Sequence, residues 1–158
     1  MTLFRTFTVA AAVVASALVH QLVACSNILV TRGASKDGST MVSYSADSHT
    51  LYGALYHKAG GHHAQGAFRE VVEWDTGKYL GRIPEAPVTY TRVGNMNEHQ
   101  LAIAETTFGG RKELQVPSGI VDYGSLIYIA LERAKTAREA IEVMTNLAET
   151  YGYASEGE

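Results

Sequence analysis

A single cysteine, Cys25, stands in the 158 residues. No internal disulfide can form, so the thiol is a structural group, a lipid attachment point, a metal ligand or a nucleophile. Basic charge is scarce as well. Lysines and arginines number 13 against 16 aspartates and glutamates, with no basic block, and this excludes the electrostatic footprint of a nucleic-acid binder. There is no glycine-rich phosphate loop, no Gly-x-Ser-x-Gly elbow and no internal repeat, and no cofactor is implied. What remains is the composition of a folded globular chain: 46% hydrophobic, 18% charged, with a formal net charge of −3. The length suits one domain with a moderate core.

The N-terminus has the three parts of a signal peptide. MTLFR supplies one positive charge, TFTVAAAVVASALV is apolar, and small residues follow where a peptidase could cut. Interrupted by His20-Gln21, the run is too short to span a bilayer, and it lacks the polar stripe of an amphipathic surface helix. Residues 1–24 are therefore expected to be an export signal with a possible short propeptide, which makes the product periplasmic, secreted or on the cell surface. Three processing routes remain open. Cleavage at Ala15-Ser16-Ala17 would leave a short propeptide, cleavage after Ala24 would expose Cys25 directly, and Leu22-Val23-Ala24-Cys25 resembles a bacterial lipobox that would lipidate Cys25 and anchor the chain to a membrane.

Beyond Cys25 the pattern predicts hairpin after hairpin. SNILVT (26–31) reads as a short buried strand, Asp37-Gly38 as a turn and TMVSYSA (40–46) as the returning strand. Further strands are expected at 68–74, 86–93 and 101–108, with a glycine-rich loop at 58–66. Helices come last. Asp122 can cap one whose stripe is Tyr123, Leu126, Ile127, Ala130, Leu131 and Ala134. Thr136 and Glu139 match a capping box for a second, with Ala137, Ala140, Ile141, Met144, Leu147, Ala148 and Tyr151 on one side and Gly152 at its end. Strands followed by helices predict an α+β layered fold. YGYASEGE ends directly after the second helix without a closing strand, which leads us to expect a fragment of something longer.

A cysteine attacks as its thiolate, and a free thiol titrates near ~8.5. One way to supply a base is the cysteine's own α-amine, whose pKa of about 8 is well placed, provided the cysteine is the first residue. That requirement explains a nucleophile at a processing boundary with a strand starting immediately behind it, since the strand would hold the new terminus in place.

CSNILVTRGASKDGSTMVSYSADS, EWDTGKYLG (73–81), GNMNEHQLAIAETTFGGR (94–111) and the closing YGYASEGE together resemble the PepD-type cysteine dipeptidases of the N-terminal nucleophile (Ntn) hydrolase superfamily. The resemblance covers nearly everything after residue 24. It implies an αββα sandwich of which residues 25–158 are the N-terminal part, dipeptides as substrates, Cys25 as nucleophile and its freed amine as base.

Other roles carry over residue by residue. Asp47 matches the aspartate that follows the second strand in this superfamily, although the arginine that usually precedes it is absent from Tyr44-Ser45-Ala46-Asp47. Asp47 would hold the α-amine or a substrate ammonium, or else be a solvated carboxylate at a loop end. Asn97 would either donate to the oxyanion or serve only the turn it sits in. Glu105, Thr106 and Thr107, near the end of an expected strand, are alternative pocket residues, with Glu105 and Thr107 the candidates for substrate binding. Thr107 stands about where related amide hydrolases carry an oxyanion-hole Asn. His57, His62 and His63 lack an acidic or thiol partner nearby and do not make a metal site. Trp74 and the tyrosines read as core or sheet-surface residues. A lipid-anchored binding protein is the competing reading, because lipidation would consume both the amine and the thiol of Cys25.

Overall fold

Asp122 caps its helix as predicted. In the structure, a computed structural model describing residues 25–46 and 52–155, helix α1 (Tyr123–Arg133) begins with the Asp122 carboxylate accepting from Ser125 N at 3.1 Å while Ser125 Oγ accepts from Asp122 N at 3.0 Å. The second carboxylate oxygen accepts from Trp74 N at 2.8 Å, tying the helix start to a distant loop. Helix α2 (Ala137–Tyr151) is capped by Thr136, whose hydroxyl accepts from Glu139 N at 3.3 Å. The return bond differs from the expected box, because the Glu139 carboxylate accepts from Lys135 N at 2.7 Å, one residue earlier. Gly152 closes α2 at φ 74°, a left-handed conformation that favours glycine.

The single apolar stripe expected on α1 is too narrow a description. Every residue from Gly124 to Glu132 is buried, because α1 has a partner on each side. Ile127, Tyr128 and Leu131 pack with Leu101 and Ala140, while Leu126 and Ile129 pack with Val71, Ile83 and Leu147. Helix α2 closes the core with Ala140 and Leu147, but Ile141, expected on its inner side, is 60% exposed.

Glu132 lies in this wrapped helix with no exposed surface. Three cations meet it: Lys58 at 2.9 Å, Arg92 at 2.8 Å, and Arg69 in direct contact. Burial pushes its carboxyl up, but Arg69, Arg92 and Lys58 outweigh that and hold it below the usual carboxylate range. The Arg92 guanidinium also lies 4.0 Å from the centre of the Tyr128 ring.

Around the helices the strands of the described residues form four small antiparallel sheets. Strands β1 (Ser26–Val30) and β2 (Met41–Ser45) pair from Ser26–Ser45 to Val30–Met41. In the connection Asp37 accepts from Ser39 N at 3.0 Å and Gly38 turns at φ 76°, so the Asp-Gly signal marks a bend within a longer loop. Strands β3 (His57–Lys58), β8 (Arg92–Val93) and β9 (Met96–Asn97) form a three-stranded sheet. β4 (Gly61–His62) pairs with β7 (Val88–Thr89), and β5 (Phe68–Val72) with β6 (Tyr79–Pro84).

Three strand expectations are corrected. The run at 86–93 breaks into β7 and β8, because Tyr90 N donates to Glu132 O at 2.8 Å, across to the helix. Residues 101–108 form no continuous strand; Ala102 makes an isolated bridge to Met96. β1 was expected to be buried, yet Ile28 and Leu29 are 65% and 72% exposed. Strands and helices together make a mixed, α+β chain, and the described residues do not gather the strands into one sandwich layer. Among those residues no helix is long and apolar enough to cross a membrane.

Candidate active site at the start of the first strand

Side chains two residues apart on a strand share a face, and paired residues on neighbouring strands sit side by side. Cys25 directly precedes β1, Asn27 lies two residues on, and the register pairs Asn27 with Tyr44. All three side chains meet the extended segment at 105–107. The amide of Asn27 donates to the Glu105 carbonyl, the phenol of Tyr44 donates to Glu105 Oε1, and Thr106 Oγ1 donates to the Cys25 carbonyl at 3.2 Å. That segment is itself held in place by Asn95, whose side chain donates to Ile103 O at 2.8 Å and whose carbonyl accepts from Ile103 N at 3.0 Å.

The half-buried thiol therefore stands between two polar groups. Cys25 Sγ is 4.0 Å from Glu105 Oε1 and 3.7 Å from Thr107 Oγ1. Burial pushes the Glu105 carboxyl up; the Tyr44 bond pulls it back, and the nearby charge of Asp75 pushes it up again. Burial and the contact with Glu105 likewise push the Tyr44 phenol up, so it stays a hydrogen-bond donor at neutral pH. Glu105 Oε2 is buried and meets no hydrogen-bond partner among the described residues. An ammonium group brought to it would supply both a donor and a countercharge.

Glu105 and Tyr44 also bound a cavity of about 560 Å3, within the usual size range for small-molecule sites. Much of its lining is aromatic. Trp74 meets Tyr56 edge-on at 5.5 Å and Tyr128 at 4.6 Å. The start of α1 reaches the same wall, where Gly124 packs so closely that an added Cβ would lie 2.5 Å from Trp74 Cβ. Tyr123, next to it, donates to Asp75 at 2.7 Å.

Three of the residues singled out in the sequence, Cys25, Glu105 and Thr107, thus converge. Asp47 lies outside the described residues. Asn97 does not join them, and its reading as an oxyanion donor is corrected. It is 5% exposed, and its amide donates to Leu131 O at 2.8 Å and Ala134 O at 2.7 Å, the last turn of α1. Its carbonyl oxygen accepts from His99 N and Leu101 N. Both amide hydrogens are spent, so none is left for an oxyanion. Among the histidines, His63 bonds Thr89 Oγ1 at 2.9 Å, while His57 and His62 lie exposed on separate strands.

Asn27 and Tyr44 escaped the sequence reading. The hairpin register held the signal, since a residue opposite Cys25+2 must share its face. Trp74, expected in the core or on a sheet surface, packs against the core and also lines the cavity.

No solved structure matches the chain. The family model of peptidase family C69 matches residues 24–158, beginning one residue before the thiol. The chain therefore belongs to peptidase family C69, as the PepD-type dipeptidase motifs implied, and is a cysteine-type peptidase acting on peptide substrates.

Proposed function

We propose that the chain is an exported dipeptidase in which removal of residues 1–24 makes Cys25 the first residue, its thiol the nucleophile and its α-amine the base. The observation that carries this is the seat of Cys25 Sγ, directly ahead of β1 and within 4.0 Å of Glu105. An amine released there would sit on the thiol's own residue, with no second side chain to position. Deprotonated by the amine, the sulfur bonds to the substrate carbonyl carbon. The tetrahedral adduct collapses as the C–N bond breaks and the ammonium gives its proton to the leaving nitrogen. Water, deprotonated by the same amine, then cleaves the thioester, releasing the first amino acid and restoring the thiol.

Glu105 takes the dipeptide's ammonium, and the family resemblance alone assigns Asp47 to this or to the α-amine of Cys25. Thr107, whose hydroxyl is 3.7 Å from the sulfur, is assigned to the oxyanion. The αββα sandwich of the Ntn hydrolases belongs to the same proposal. Ile28, Leu29, Met41 and Val42, exposed on the β1–β2 hairpin, are side chains that a second layer would bury.

Lipidation of Cys25 would consume both reactive groups. Against it, Ser26 already pairs with Ser45, so no flexible tether separates Cys25 from the folded sheet.

Release of amino acids from dipeptides, compared among three forms, tests the reading. Protein beginning at Cys25 should be active, Cys25→Ala inactive, and protein with one unremovable residue ahead of Cys25 nearly inactive. Full activity in the extended form would rule out the α-amine as base.

A further inference from the structure

The cavity beside Cys25 has a chemical asymmetry that the reaction alone does not require. Its lining holds both the Glu105–Tyr44 pair and the side chains of Trp74, Tyr56, Tyr128 and Ile127. A ligand that satisfies both parts of the lining carries a cation next to a large apolar group. Bond lengths decide which part of a dipeptide this is. From the ammonium nitrogen to the scissile carbonyl carbon there are two bonds, about 1.46 and 1.52 Å, so the two atoms lie no more than about 3 Å apart. With the nitrogen on Glu105, a thiol 4.0 Å from that carboxylate can reach the carbon. The side chain that departs from the atom between them is that of the first residue, and it leaves beside Glu105, which lines the cavity.

We propose that this aromatic cavity receives the side chain of the substrate's first residue while Glu105 holds its ammonium, so that the enzyme selects dipeptides beginning with a large apolar or aromatic residue. The proposal rests on the dipeptidase reading for its substrate, while the cavity's preference can be measured without turnover. The wall is pre-formed. Trp74 is fixed through its backbone N–H to Asp122 at 2.8 Å, its ring is bracketed by Tyr56 and Tyr128, and Gly124 leaves no slack behind it. A ring entering the cavity meets edges and faces of aromatic groups, the arrangement such rings favour. A carboxylate side chain would lose its water there and meet no cation among the four wall residues.

Trp74 is the only tryptophan in the chain, so its fluorescence reports on this wall alone. The test uses the full chain with Cys25→Ala, which prevents turnover, titrated with L-phenylalaninamide, L-alaninamide and N-acetyl-L-phenylalaninamide. L-phenylalaninamide should change the Trp74 emission saturably and bind at least tenfold more tightly than either of the others. Tyr56→Ala, at the exposed rim, should erase the advantage over alaninamide, and Glu105→Gln should erase the advantage over the acetylated amide. Equal binding of the alanine and phenylalanine amides, equal binding of the acetylated amide, or no change with any of them would overturn the proposal. Dipeptide hydrolysis by the active protein separates this from the underlying reading. Cleavage of Phe-Ala and Ala-Phe at equal rates would overturn the cavity assignment and leave the dipeptidase intact. Amide binding as expected with no dipeptide cleaved would do the reverse.

Discussion

Replacing Glu132 by glutamine keeps the shape of the side chain and removes one charge from a site without exposed surface. Three cations then remain: Arg69 and Arg92, with side chains 14% and 11% exposed, and Lys58, 42% exposed and able to turn to water. Breaking a buried pair by removing one partner costs about 3–5 kcal/mol, mostly the penalty of the charge left behind. Two arginines are stranded here, so the upper part of that range is expected. Against a typical domain stability of roughly 5–15 kcal/mol, this is a third or more of the total. With a urea slope of about 2 kcal/mol/M the midpoint should fall by roughly 2 M. The carboxyl's folded pKa is depressed, so its contribution is complete above the ordinary value of 4.5 and is lost as pH falls below it through the folded value. The midpoint difference between wild type and Glu132→Gln should accordingly be constant at neutral pH and shrink in acid. The exposed Arg111–Glu113 pair is the control, and Glu113→Gln should leave the midpoint unmoved. A loss below about 1 kcal/mol for Glu132→Gln, the value of a solvent-screened pair, would refute the argument.

Tyr44→Phe removes a hydrogen bond to a carboxylate, worth about 1.5–3 kcal/mol, and should lower kcat/KM about 10- to 100-fold. Because the Tyr44 bond pulls the Glu105 pKa down and an ionised Glu105 is needed for the ammonium, binding of L-phenylalaninamide to the Cys25→Ala protein should be lost in acid from a pH above 4.5, and from a higher pH still when Tyr44→Phe is added. A binding profile that Tyr44→Phe does not move would contradict this. Asn97→Ala strips two carbonyls of α1 of their donors, so a stability loss of about 2–4 kcal/mol is expected in chemical denaturation, with kcat per folded molecule unchanged. A kcat loss at unchanged stability would return Asn97 to the oxyanion site.

Local signals were read well from the sequence, and long-range ones were not. Asp122, Thr136 and Gly152 sit at helix ends as expected, because a cap is decided within four residues. The β1–β2 pairing was legible for the same reason, since apolar runs and a nearby Asp-Gly bend define it. The depth of β1 was not, because the strand's own composition says that it prefers burial and cannot say what covers it. Glu132 reads as an ordinary helix glutamate until Lys58, Arg69 and Arg92, 40 to 74 residues away in the chain, are folded onto it. In the candidate site, Cys25 drew attention as the single cysteine behind an export-like segment, and Glu105 and Thr107 through motifs that resemble the family's. Tyr44 and Asn27 required the register, and the cavity required Trp74 to meet the start of α1 across 48 residues. Asn97 stayed open between two roles in the sequence because a turn asparagine looks the same whether its amide faces a substrate or, as here, the end of a helix.

The central claim is that Cys25 acts as a free N-terminal residue, and the mass of the mature N-terminal peptide tests it most directly. The full-length protein would be made in a native-like exporting host and its first peptide measured intact. The account predicts a peptide beginning at Cys25 with an unmodified amine and thiol. A peptide that still carries residues ahead of Cys25 in active protein, or a Cys25 bearing diacylglycerol and an N-acyl chain, would contradict it.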